Sequence, residues 1–147
     1  MNEIEAAIGI EQVKRLDGFL AARAANFSIL SKRLTESPHL EMFEAAQPGQ
    51  NSHYCLSILL DPGIARLRFE IVSRLNAKGI GTSIYYPRPV PHMTYYRQRY
   101  GFSLDSYPVA ARISENSIAL PVGPHLAVED MHYIADGVLE TLGEFTK

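Results

Sequence analysis

The first proline of this chain is Pro38, and ahead of it some 33 residues run without a helix breaker. Ile4, Ile8, Val13, Leu16, Leu20, Phe27, Leu30 and Leu34 recur along this stretch mostly at steps of three to five. That spacing predicts one long amphipathic helix over 1–36, ended by the Ser37-Pro38-His39 signal. Gly9 and Gly18 weaken it locally, by about 1 kcal/mol each relative to alanine. At ~1.5 Å rise per residue the rod is about 50 Å long. A compact domain of this chain length has a radius of gyration near ~15 Å, hence a diameter of only about 40 Å. The helix therefore overhangs its own domain, which points to another domain or subunit as its partner.

The remainder fits a single domain, 1–147, with an α/β sandwich over 52–147 behind the helix. After the polar loop EAAQPGQNS, Tyr54–Leu60 is an apolar run of strand length closed by Asp61-Pro62-Gly63. RLRFEIVSRLNAKG has Leu67, Ile71, Val72 and Leu75 on one face, and Gly79 stands where a C-terminal cap belongs. IGTSIYY reads as a second strand and NSIALPV as a third. Short helices are expected over 93–100 and 107–115. The last segment places Met131, Ile134, Val138, Leu142 and Phe145 at helical spacing. The predicted fold class is α/β, a sheet of three or so strands with helices packed on it.

Charge and motifs remove several kinds of chemistry. A formal charge of -2 provides no field to draw nucleic acid or anionic lipid. No apolar run approaches the ~20 residues that cross a bilayer, and MNEIEAAIGIEQVKRLD is acidic where a signal sequence is basic, so a cytoplasmic protein is expected. His39, His53, His92, His125 and His132 form no close pairs and there is no CxxC, so no metal site is expected. Cys55, the single cysteine, lies mid-strand and reads as a small hydrophobe rather than a nucleophile. GxSxG, Walker and GxGxxG patterns are absent. A Schiff-base lysine needs desolvation or neighbouring cations, and the settings of Lys14, Lys32, Lys78 and Lys147 suggest neither.

One stretch concentrates recognition chemistry. YYPRPVPHMTYYRQRYG, residues 85–101, holds five of the eight tyrosines. Pro87, Pro89 and Pro91 are expected to keep Tyr86–His92 extended and stiff. Tyrosine rings stack on flat ligands and hydrogen-bond sugars, while Arg88, Arg97 and Arg99 suit carboxylate or phosphate. On residue types alone two readings stand side by side: a ligand-binding wall, or a proline-rich crossover with surface tyrosines. Single-stranded nucleic acid on YYRQRYGF is a further reading that the net charge opposes.

Three segments, in order along nearly the whole chain, resemble one family. MNEIEAAIGIEQVKRLDGFLAAR is similar to the long helix opening the C-terminal part of DegT/DnrJ/EryC1/StrS aminotransferases, fold-type-I pyridoxal-phosphate enzymes of keto-sugar nucleotides. RLRFEIVSRLNAKGIGTSIYYPRPVPH resembles the family's helix, GI-T strand and Tyr-Pro-x-Pro segment. SYPVAARISENSIALPVGPHLAVEDMHYIADGV resembles its closing segments. The chain departs from the pattern at Tyr85, where many members have histidine, at an additional Pro91, at Ala111-Arg112 in place of a glutamate, and at Ala127 in place of a Thr or Ser cap.

The resemblance implies that Tyr85, Tyr86, Arg88 and His92 line the sugar or nucleotide side of a cleft, with Tyr95, Tyr96 and Arg97 supporting them. It places Asn2 and Glu3 near the cofactor edge across a dimer interface. The lysine that carries pyridoxal phosphate lies upstream in the family, Met1 falling inside its Arg-Met-x-Glu-x-x-Ala-Ala motif. No catalytic residue is therefore expected on these 147 residues, and a nucleotide sugar and an amino donor are substrates of the complete enzyme only. The implied assembly is a homodimer or a pairing with a chain that carries the lysine. The alternative is a stand-alone binding or assembly module driven by the first helix.

Overall fold

The structure, a computed structural model, describes residues 1–43 and 51–146. Most of the predicted polar loop, 44–50, and Lys147 lie outside the described residues.

The N-terminal apolar pattern is divided in two: α1 spans Glu3–Lys14 and α2 spans Leu16–Leu34. Arg15 at the junction has ψ -6, and its N–H turns to the carbonyl of Gln12 in a tighter, three-residue bond. Asn2 starts α1 with a capping box, its Oδ1 accepting the Glu5 N–H at 2.9 Å while the Glu5 carboxylate accepts the Asn2 N–H at 2.9 Å. Nothing in α1 is buried, so its own propensity and its cap, rather than core packing, hold it. In contrast, α2 buries Asn26, Leu30 and Leu34 and packs along the C-terminal helix α7, Val128–Phe145.

Three antiparallel strands form the sheet, in the order β1 (Leu40–Met42), β2 (Cys55–Leu60), β3 (Ser117–Pro121). Leu56 pairs with Leu120 and Ile58 with Ile118, so one face presents four buried aliphatic side chains. That face joins Leu30 and Leu34 of α2, Ile71 and Leu75 of α4 (Arg68–Ala77), and Met131, Val138 and Leu142 of α7 in one core. Each such buried side chain contributes about 1.5–3 kcal/mol over its exposed state.

Gly79 ends α4 with φ +77, the left-handed value its lack of Cβ permits. The Ile80 N–H then reaches the Leu75 carbonyl and the Gly79 N–H the Asn76 carbonyl, both at 2.9 Å, completing a Schellman turn. Ile80 is delivered into the core.

The IGTSIYY segment is not a strand. Only Ser83 pairs, exchanging two backbone bonds with Ala119 of β3 (3.1 and 2.8 Å); the third strand is β1 instead. Beyond it the extension expected for Tyr86–His92 is not kept: the chain bends at Tyr85 and again at Pro87 and Arg88, and Val90–His92 folds into a 3-10 turn, because the prolines fix their own φ and leave ψ free. Short helices follow as expected: α5 is Thr94–Tyr100 and α6 is Pro108–Asn116, with α3, Pro62–Ala65, after β2. Ala127 begins α7 without a side-chain cap, and Asp130 supplies only the return bond to its N–H (2.8 Å).

Candidate functional site

The sheet's end and the segment after it build an open cleft of about 280 Å³. Arg23 of α2, Tyr54 and Cys55 at the start of β2, Tyr85, and the loop after β3 line it. The Ser83–Ala119 bridge fixes Tyr85 there, two residues from the pairing. Its hydroxyl stands 3.5 Å from that of Tyr54, with the rings 6.2 Å apart. Hydrogen bonding from the Ser83 hydroxyl, then from Tyr54, pushes the Tyr85 phenol below the usual tyrosine range. Tyr54 is pushed up by its hydrogen bond to Tyr85 and by the charge that Tyr85 would carry. Across the cleft, Asn26 is buried and donates from Nδ2 to the carbonyls of Gly123 (3.0 Å) and Leu126 (3.1 Å). It thereby sets the loop that carries His125. The Nε of Arg23 is buried without a partner among the described residues.

A second groove, about 500 Å³, shares no lining residue with the first. Arg66, Arg68, Phe69, Pro87, Arg88 and Glu115 define it. Arg68 is 4% exposed and donates from Nη1 to the carbonyls of Ser114 (2.5 Å) and Ser117 (3.4 Å), tying α4 to the end of α6. Burial lowers its pKa, and the Glu115 carboxylate partly offsets this.

The seven candidate substrate residues are thus not gathered in one place. Tyr85 lines the first cleft and Arg88 the second. Tyr86 stands 67% exposed outside both. His92, expected to present its ring, is 3% exposed and its Nε2 meets the Ser106 carbonyl at 2.6 Å. The 3-10 turn rolls it inward, so it anchors the segment. Tyr95 and Tyr96 lie edge to face on α5 with centroids 5.2 Å apart, and Tyr96 stacks on Tyr100. Arg97 sits beside them over a shallow depression. Asn2 is spent on its helix cap, and Glu3 is exposed in the first turn of α1.

Sequence reasoning missed Tyr54, Arg23, Asn26, Arg66 and Arg68. Asn26 did leave a trace: it is a polar residue four before Leu30 on the buried stripe of α2.

Among the described residues no lysine suits a Schiff base. Lys14 pairs with Glu11 at 2.6 Å and Lys32 is exposed. Lys78 pairs with Glu140 at 3.0 Å, which pushes its pKa up, opposite to what a nucleophilic amine needs. Nor do the described residues hold a cluster of three metal-ligating side chains, or a helix long and apolar enough to cross a membrane.

The model of the DegT/DnrJ/EryC1/StrS aminotransferase family matches residues 1–139. The chain belongs to that family. The Escherichia coli dTDP-4-amino-4,6-dideoxy-D-glucose transaminase is 25% identical over 122 residues, which are 83% of this chain and 33% of that protein. The erythromycin biosynthesis protein EryC1 of Saccharopolyspora erythraea is 29% identical over 97% of this chain and 36% of its own. Among solved structures, PseC of Helicobacter pylori, an aminotransferase of pseudoaminic acid biosynthesis, superposes with a TM-score of 0.87 at 23% identity over 98% of this chain and 38% of that one. Spr1654 of Streptococcus pneumoniae in its PLP form superposes at 0.88 and 23% over all of this chain and 37% of that one. The fold class expected from the sequence, a small α/β unit of a sugar-aminotransferase type, is the one observed. The chain spans about a third of the length of the relatives it matches, and the family's pyridoxal-phosphate cofactor does not find its lysine among the described residues.

Proposed function

We propose that these 147 residues are the substrate-side part of an aminotransferase that moves an amino group from an amino donor, in our reading glutamate, onto a keto sugar held on a nucleotide. The observation that carries this is the family match running from residue 1 to 139. In this reading the chain is one unit, with 1–36 as the bridge to its partner and 52–147 as the body. Pyridoxal phosphate and its lysine come from outside the described residues, and no step of the transfer is assigned to a side chain here.

What the chain contributes is recognition. Two coupled phenols, Tyr54 and Tyr85, offer both a donor and an acceptor to sugar hydroxyls. Tyr86, Tyr95, Tyr96 and Arg97 provide a rim of exposed rings and charge. Asn2 and Glu3 would approach the cofactor edge of a second subunit in a homodimer, in a cytoplasmic setting. His92 acts through the position of Arg88.

A chimera tests this. Replacing the matching third of the Escherichia coli transaminase with this chain should yield an enzyme that converts a keto-sugar nucleotide with pyridoxal phosphate and glutamate. In it Tyr85→Phe should raise KM more than it lowers kcat. A folded, cofactor-loaded chimera that transfers nothing to any keto-sugar nucleotide would overturn the assignment.

A second reading, a binding or assembly module without catalysis, is favoured by one observation. Ile4, Ile8 and Val13 of α1 are 59–73% exposed, an apolar surface that asks for a protein partner.

A further inference from the structure

The second groove has a charge pattern that the sugar cleft does not need. Arg33, Arg74 and Arg112 each meet a carboxylate, of Asp136, Glu144 and Glu41 respectively. Arg66, Arg68 and Arg88 instead converge on one groove whose single carboxylate, Glu115, forms no ion pair among the described residues. Three guanidiniums against one carboxylate leave two positive charges facing a space of about 500 Å³. Arg68 is the decisive member. It is 4% exposed, its Nη1 is engaged by backbone carbonyls, and its Nε is buried with no acceptor among the described residues. An orphaned buried donor of a charged group is costly unless something accepts from it. The Phe69 ring, 66% exposed with the Arg68 guanidinium 5.2 Å from its centroid, closes one side.

We propose that this groove is a binding site for a phosphoryl dianion, a phosphate or diphosphate group seated between Arg66 and Arg88 with Arg68 beneath. Guanidinium forks match phosphoryl oxygens in pairs, and two net charges match a dianion better than a carboxylate. Asn116 offers a further donor on the rim. The phosphoryl group has two possible sources. Read with the proposed function it is the diphosphate of the nucleotide substrate; independently of that reading it is free phosphate.

Titration calorimetry on the full chain tests the site with four probes: inorganic phosphate, pyrophosphate, a nucleoside diphosphate and the corresponding nucleoside. Binding of the three anions, weakened by salt, is expected, with no binding of the nucleoside. Arg66→Glu should weaken anion binding about tenfold or more, and Glu115→Gln, which removes the competing carboxylate, should tighten it several-fold. Both positions lie at the groove's edge, and circular dichroism of the variants checks that the fold is kept. A nucleoside diphosphate binding tenfold tighter than pyrophosphate assigns the site to the substrate; equal binding of phosphate assigns it to the free ion. No saturable binding by any anion, or binding indifferent to both substitutions, overturns the proposal. Because these readouts need no turnover, they separate its failure from that of the aminotransferase reading.

Discussion

The hydroxyls of Tyr54 and Tyr85 stand 3.5 Å apart although 31 positions separate them in the chain. The pairing is built by the backbone. β2 begins beside Tyr54, and the Ser83–Ala119 bridge holds Tyr85 at the outer edge of β3. Two phenols this close do not titrate independently.

The first prediction concerns their order of ionisation. Tyr85 is depressed by the Ser83 hydroxyl and by Tyr54, while Tyr54 is raised. Alkaline difference spectroscopy should therefore show one tyrosine ionising below the bulk of the eight. Tyr85→Phe should remove that step, and Tyr54→Phe should move it up by deleting a donor to the phenolate. The sign for stability follows. A depressed acid favours the folded state once the pH climbs past its folded pKa, so Tyr85 adds stability only on the alkaline side. At neutral pH Tyr85→Phe should leave the melting temperature nearly unchanged. A low step that survives in Tyr85→Phe would mean another tyrosine carries it.

Asn26 carries the second prediction. Its amide satisfies the Gly123 and Leu126 carbonyls from inside the core. Asn26→Ala strands both, at a cost of about 1–3 kcal/mol. Asn26→Asp, close in shape, puts a carboxylate against two carbonyl oxygens and should cost at least as much. Urea unfolding measures both. Equal stability of wild type and Asn26→Asp would mean the loop after β3 is held by something else.

Gly79 yields a third. With φ +77 it cannot take a Cβ without strain, although nothing lies within 4 Å of where that atom would sit. Gly79→Ala should thus cost about 1–2 kcal/mol through backbone strain alone, whereas Gly143→Ala, helical and equally uncrowded, should stabilise by about 0.4–1 kcal/mol. The two thermal midpoints should move in opposite directions.

These residues also mark what the sequence could reveal. α4 and α7 were legible because their apolar faces repeat at helical spacing and Gly79 closes the first. The cores of β2 and β3 stood out as short aliphatic runs. The Tyr85–Gly101 stretch was legible as a concentration of recognition groups. Its geometry was not, since an isolated bridge and a 3-10 turn are set by tertiary contacts that no periodicity encodes. β1 is only three residues long and escaped for the same reason. Arg68 was hidden because an arginine beside a helix start reads as solvent-exposed, and only the folded end of α6 and start of β3 supply the carbonyls that hold it. The break at Arg15 has no breaker in the sequence; it falls where the buried face of α2 begins and the exposed α1 ends.

The last prediction follows from that boundary. α1 buries nothing, with Ile4 at 73%, Ile8 at 59% and Val13 at 70% exposure. Replacing all three with serine removes no packing from the body. The melting temperature should then shift by no more than about 2 °C, the range of ordinary surface substitutions in a domain of this size. Their effect belongs to association instead. Sedimentation of the wild type should show a concentration-dependent rise in mass, and the triple variant should stay monomeric throughout. A variant that unfolds would show that α1 docks onto the body in solution. A wild type that remains a monomer at high concentration would mean that a second copy of this chain is not what covers the helix.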